Sequence, residues 1–412
     1  MMEVLLILLG IGIILFISFL AELFFKKTHV PDVLFLLLLG IIIGPGVLGY
    51  VNPNDLEIYA PLFTTVALLF LLYEGGFNID LNSFVKGALK SLQVTIFNFF
   101  ISSIVISVIL YLFDFTLLQS LLTGFTLGGI SSAFVIPLIK ELRIKKTTQS
   151  ILTFESALTD VLCIIFAFAI IKIISLNSID LTSVLYSFFL LFFIAAFIGM
   201  CAGLFWIFLI AEVFKEKITF MSTIAYIVLV YVFSELIGAN GAIAVLLLGL
   251  TLRNSEPITR KILEIKHTDR WEIRKIEGIV IVRAHEELFY SQISFFLKTF
   301  FFVYIGILFN IKDTYVLLIA AIISVILLSA RRLLGVITRD FDKYDRAITM
   351  SMFARGLAAA AIAQVIISNK IPQANIIAEI IYNVIIFTMI LSSIVIFIEK
   401  RKHFKEVLSH PK

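Results

Sequence analysis

Glu155, Ser156, Thr159 and Asp160 stand together in the stretch TFESALTDVL, inside a run otherwise apolar enough to cross a membrane. Ser156 and Asp160 are four positions apart and share one face of a helix. A carboxylate in low dielectric must be neutralised, and either a proton or a metal cation does so. Two further stretches bring groups suited to the same task. LGGISSAF carries the hydroxyls of Ser131 and Ser132, while SARRLLG and ARGLAAA carry Arg332 and Arg355. Hydroxyl and carboxylate oxygens are the ligands that hard cations take.

Counting 1.5 Å per helical residue from the nearest basic loop puts Glu155 about 12 Å deep and Asp160 about 20 Å deep, close to the midplane. Ser131, Ser132 and Arg355 fall at a depth comparable to that of Glu155, and Arg332 about one turn inside the membrane face. Asp160 has no acid or base three or four positions away. An unpaired midplane carboxylate reads as functional by default. Glu155 has two readings, a second titrating group or one half of a buried ion pair that pins helices together. Lys298 and Glu22 are expected to reach an interface with their long stems, and Glu235 and Glu379 to lie near outer helix ends.

These residues need a membrane protein to position them. Of 412 residues, 60% are hydrophobic and 15% charged, far from the balance of soluble domains. The chain reads as an all-α polytopic protein of about 13 transmembrane helices, taking roughly 20 apolar residues per crossing. The expected spans are 3–25, 32–50, 57–78, 88–112, 115–139, 147–174, 181–211, 218–237, 239–252, 287–310, 314–336, 346–368 and 374–398. The first ends in Glu22, Lys26 and Lys27 without a small-residue cleavage site, so it reads as a retained helix. GIIIGPGVLG in the second offers two places for a helix to break. Residues 1–400 form the membrane domain and 401–412 a short tail.

Alternate connections, beginning after the first span, hold most of the 33 basic residues. Cytoplasmic loops collect Lys and Arg, which places the N-terminus outside and the C-terminus in the cytoplasm. The net charge of +4 is thus a topology signal and implies no nucleic-acid partner. His29, His267, His285, His403 and His410 fall in loops or tails, which argues against haem, copper and zinc sites, and no cofactor is expected. Cys163 and Cys201 lie in apolar runs and read as small buried hydrophobes. The two halves look related by inversion. LLLLGIIIG in the second span matches VLLLGLTLR in the ninth, and the glycine-weakened fifth and twelfth spans match each other. An offset of an odd number of spans reverses direction through the membrane, the pattern of inverted-repeat transporters with two crossed discontinuous helices.

VPDVLFLLLLGIIIGPGVLG, LLFLLYEGGFNIDL, GGISSAFVIPLIKEL, FESALTDVL, FFLKTFFFVYIGILFNI, SARRLLGVI and ARGLAAAAIA follow one another in an order that resembles the monovalent cation:proton antiporter superfamily. FESALTDVL is similar to the Glu-Ser-x-x-Asn-Asp signature of NhaP-type sodium/hydrogen exchangers. The resemblance implies that Asp160 is the shared cation and proton site, with Ser156 as a supporting ligand. It also implies that Arg332 pairs with Glu155, that Arg355 holds the crossing, and that the core lies around 115–174 and 314–368, the other helices serving as scaffold and dimer interface. Thr159 stands where that branch has Asn. Ser131 stands where many exchangers have Asp, and ISSAF is closer to the potassium-efflux and NapA-like branch.

The expected activity is therefore antiport of Na+ against H+ by alternating access, with K+ as the alternative cation and Li+ a further candidate. Asp160, Ser156 and Ser131 would hold the ion, assisted by Ser132, Thr159 and carbonyls freed at helix breaks. Neutralised Asp160 moves past an apolar barrier and bare Asp160 does not, so exchange is obligatory. The resemblance further implies a homodimer among lipids of the cell membrane, serving pH homeostasis. A channel would need a filter of the Thr-Val-Gly-Tyr-Gly kind. An intramembrane hydrolase would need a nucleophile and base inside the spans. Neither motif occurs.

Overall fold

A computed structural model describes residues 2–28, 31–56, 60–77, 81–142, 144–176, 181–210, 220–255, 292–311 and 313–409. Its regular elements are helices: α1 (Met2–Thr28), α2 (Asp32–Ile43), α3 (Ala60–Phe77), α4 (Leu81–Leu112), α5 (Leu117–Thr126), α6 (Ser132–Glu141), α7 (Lys146–Leu176) and α8 (Leu181–Phe208). They continue as α9 (Phe220–Leu236), α10 (Gly241–Arg253), α11 (Gln292–Ile307), α12 (Thr314–Arg332), α13 (Lys343–Ser351), α14 (Leu357–Ser368) and α15 (Ala374–Ser409). Among the described residues, five of these helices are by themselves long and apolar enough to cross a membrane. The chain is a polytopic membrane protein.

The two spans weakened by glycine are indeed discontinuous. The fifth divides into α5 and α6 around Leu127–Ser131, and the twelfth into α13 and α14 around Met352–Gly356. The second span is shorter than expected. Gly44 is extended at ψ −178° and ends α2, because Pro45 disfavours helical backbone in the residue before it.

The described residues form two compact units. The first comprises 1–64, 87–179 and 298–412, and holds both broken helices, α7, α12 and α15. Within it Gly40 of α2 meets Gly306 of α11, where a Cβ on either would strike the other helix's backbone. Lys298, expected to reach an interface with its long stem, has an acidic partner beside it. Its Nζ lies 2.6 Å from Asp32 Oδ2, with side chains 14% and 6% exposed, since a charge kept inside needs its partner beside it.

The second unit comprises 65–86 and 180–297. Here Gly76 of α3 meets α10 at the Leu246 carbonyl and Leu250 amide, while Gly249 meets the Tyr73 carbonyl and Phe77 amide. In the first unit, Gly306 meets the Leu37 carbonyl and Ile41 amide, and Gly40 the Val303 carbonyl and Ile307 amide. Leu37, Gly40 and Ile41 shifted by 209 positions become Leu246, Gly249 and Leu250, and Tyr73, Gly76 and Phe77 shifted by 230 become Val303, Gly306 and Ile307. Equivalent atoms meet in both crossings. That is the residue-level signature of the internal repeat, and close backbone approach is why glycine occupies all four positions.

Candidate functional site

Breaking a helix inside a membrane strands its backbone groups, and each stranded group there costs several kcal/mol unless a partner is found. In the α5–α6 break every partner comes from the surrounding first unit. The Gly129 amide donates to Cys163 Sγ at 3.2 Å and the Ile130 amide to Thr159 Oγ1 at 3.1 Å. The Ser131 amide donates across to the Ala354 carbonyl of the other break at 2.8 Å. The Gly128 and Gly129 carbonyls accept from one guanidinium nitrogen of Arg355, whose other nitrogen Nη2 reaches Ser102 Oγ at 3.0 Å. The Arg355 amide donates to Thr388 Oγ1, and Ser392 donates to the Ser351 carbonyl at 2.6 Å. The breaks therefore cross and share hydrogen bonds. Gly356 is required where they touch, because a Cβ there would collide with Ser131.

Asp160 sits beside this crossing. Ser132 Oγ, in the first turn of α6, donates to Asp160 Oδ2 at 2.7 Å. Both residues retain partial exposure, whereas Ser131, Ser156 and Thr159 are buried. Among the described residues no base pairs with Asp160. Ser156 donates to the Thr153 carbonyl at 2.9 Å, which leaves its lone pairs to accept. Ser131 Oγ is buried without a hydrogen-bond partner. The expected ligands thus divide: Ser132 touches the carboxylate, Ser131 and Ser156 keep oxygen lone pairs free, and Thr159 engages the backbone of the break.

Glu155 is an ion-pair residue, but its partner is Arg331 rather than the expected Arg332. Arg331 Nη1 and Nη2 both bond the Glu155 carboxylate, the second at 2.9 Å, and Nε donates to the Thr349 carbonyl at 3.0 Å. The side chains are 1% and 0% exposed. Arg332 is exposed. The reason is helical phase. The buried face of α12 runs Val316, Ile319, Ala320, Ile323, Leu327, Ala330 and Arg331, so the next residue turns about 100° away from it.

Cys163 is buried as expected, and its sulfur is in addition a hydrogen-bond acceptor in the crossing, whereas Cys201 is exposed rather than buried. Ser102 and Thr388 are further residues of the crossing that motif reading missed. Their signal is a polar group on the buried face of an apolar helix, as at Ser91, Thr95, Asn98 and Ser102 along α4.

At one end of α7 an acidic connection docks. Asp345 Oδ2 accepts from the Lys145 amide at 3.1 Å and from Thr148 Oγ1 at 2.7 Å, where a helix N-terminus favours negative charge. Asp342 pairs with Lys145 at 2.8 Å and Asp340 with Lys90 at 2.7 Å. The hydrogen bond from Lys90 holds the Asp340 carboxyl below its ordinary range, and the hydrogen bond to Asp342 raises the Lys145 ammonium.

Residues 12–398 match the family model described as sodium/hydrogen exchanger, transmembrane. The chain is 26% identical over 233 residues to the K(+)/H(+) antiporter NhaP2 of Shewanella sp. (strain MR-4), covering 56% of this chain and 40% of that protein. It is 24% identical over 294 residues to the K(+)/H(+) antiporter NhaP of Alkalimonas amylolytica, covering 70% and 48%. These alignments span less than half the length of either relative. The sodium proton antiporter MjNhaP1 from Methanocaldococcus jannaschii shares the fold, with a TM-score of 0.73 over 97% of both chains at 19% identity.

Proposed function

The chain belongs to the sodium/hydrogen exchanger transmembrane family, and from that premise we propose that it is an antiporter exchanging Na+ for H+ by alternating access, with Asp160 as the site both ions share. One observation carries this reading: a partly exposed carboxylate, without a cationic partner among the described residues, stands beside the crossing of two broken helices and accepts from the Ser132 hydroxyl. A proton or a monovalent cation neutralises Asp160, and Ser132, Ser131 and Ser156 offer oxygen ligands. Glu155 and Arg331 compensate each other within the scaffold, and Arg355 is held by the Gly128 and Gly129 carbonyls and Ser102, which leaves Asp160 to titrate alone. The protein works as a homodimer in the cell membrane, with its N-terminus outside, its C-terminus in the cytoplasm, and residues 115–174 and 314–368 as the moving core.

K+ in place of Na+ is the second reading. The bacterial relatives named above are K+/H+ antiporters, and a site with one carboxylate and several neutral hydroxyls demands little of cation charge density. Purified protein in liposomes carrying an interior pH dye distinguishes the two. Acidification of the interior driven by an outward Na+ gradient or an outward K+ gradient, saturable in the cation, names the ion. A pH response to neither overturns the antiport reading.

A further inference from the structure

We propose that Thr159 and Cys163 act as a pair of positioning residues, a two-rung acceptor ladder on α7 that sets the register of the broken helix against Asp160. The inference deepens the antiport reading and rests on it for its transport consequence only. Thr159 and Cys163 are four positions apart and so stack on one helix face. They accept from consecutive amides, Ile130 to Thr159 Oγ1 and Gly129 to Cys163 Sγ. Thr159 Oγ1 donates in turn to the Ser156 carbonyl at 3.2 Å, which aims its lone pair at Ile130.

Two acceptors one turn apart, each taking one of two consecutive amides, hold both the height and the rotation of Gly129–Ile130. The fit is close. A Cβ on Gly129 would lie 2.8 Å from Cys163 Sγ and 3.0 Å from Thr159 Cβ. Ser131 and Ser132 follow directly, so the ladder fixes where the Ser132 hydroxyl meets Asp160 and where Ser131 Oγ faces. Arg355 secures the carbonyls of the same segment from the other side and does not fix its amides. Thr159 is thereby a residue that places the ligands, and Cys163, apolar by reputation, is its partner.

Amide hydrogen exchange across residues 127–134 tests the ladder without reference to transport. The full-length protein is compared with Thr159→Val, Cys163→Ala and the double variant, and with Thr159→Ser and Cys163→Ser, which keep an acceptor. Faster exchange of this segment in the apolar variants, with recovery in the serine variants, supports the ladder, and wild-type exchange rates in the double variant overturn it. In the liposome assay the apolar variants should raise the cation concentration for half-maximal exchange by about five- to tenfold, as the loss of one neutral hydrogen bond implies. That rise should precede any loss of maximal rate, and serine should restore it. Unchanged half-saturation alongside loosened amides overturns the positioning role. Should wild-type protein move neither Na+ nor K+, the antiport reading fails, and the amide exchange still decides the ladder.

Discussion

Arg331 closes on Glu155 with both guanidinium nitrogens while Arg332, its neighbour in the chain, is exposed. The same guanidinium bonds the Thr349 carbonyl, so α7, α12 and α13 are pinned at one point. Removing one member leaves a buried charge without compensation, at a cost of about 3–5 kcal/mol. Glu155→Ala and Arg331→Ala should each destabilise by that order in detergent unfolding, and the double variant by less. Arg332→Ala should stay within about 0.5 kcal/mol of wild type. A large loss at Arg332 with none at Arg331 would reverse the assignment.

Asp160→Asn removes the titrating group while keeping its shape. The amide still accepts from Ser132, so the protein should fold with near wild-type stability and exchange no ions between pH 5 and 9. Liposome flux and thermal unfolding, measured on one preparation, separate lost function from lost fold.

A single titrating carboxylate implies a single charge per passage. Glu155 is held by Arg331, so on the antiport reading proposed above Asp160 alone would alternate between proton and cation. Exchange should be electroneutral. Cation-driven proton flux that builds a voltage across sealed vesicles, or a clamped potential that drives flux without ion gradients, would show a second charge at work.

The acidic connection before α13 should respond to pH only at the extremes. Asp340 is held low, so the stability its pairing with Lys90 contributes is present above the unfolded carboxylate pKa and is lost as pH falls through the lower folded value. Lys145 is held high, so its contribution is present below the unfolded lysine pKa and disappears as pH rises through the higher folded value. Between about pH 5 and 9 the Asp340 carboxylate and the Lys145 ammonium both stay charged. Asp340→Asn and Asp342→Asn should therefore leave the pH profile of transport in place, because these pairs are exposed and solvent-screened. A profile displaced by half a unit or more would give the connection a sensing role.

The glycine crossings offer a structural test. Gly306→Ala and Gly249→Ala force a methyl against facing backbone and should cost about 1–3 kcal/mol. Gly10→Ala and Gly12→Ala in α1 meet no atom within 4 Å and should be neutral or slightly stabilising. Equal effects at all four positions would contradict the close contacts.

Much was legible before any coordinates. Apolar run length foretold the helices, because a membrane tolerates only backbone satisfied within its own segment. The cost of burying charge singled out Asp160 and Glu155. The paired glycine runs around Gly40 and Gly249 announced the repeat, and Gly128, Gly129 and Gly356 marked the breaks. Motif similarity pointed to Arg332, one residue beyond Arg331; α12 is apolar on both faces, so only burial tells them apart.

What only the tertiary structure decided is who satisfies whom. The partners of Gly129, Ile130 and Ser131 are a sulfur 34 residues away, a hydroxyl 29 residues away and a carbonyl in the other broken helix. No local pattern encodes such pairings, because a hydrogen bond forms between groups that packing brings within about 3 Å, and packing is a property of the whole chain. Lys298 and Asp32 show the same point with charges. Lys298 alone reads as a residue reaching for an interface, and only the fold of α2 onto α11 sets it beside Asp32 as a buried pair.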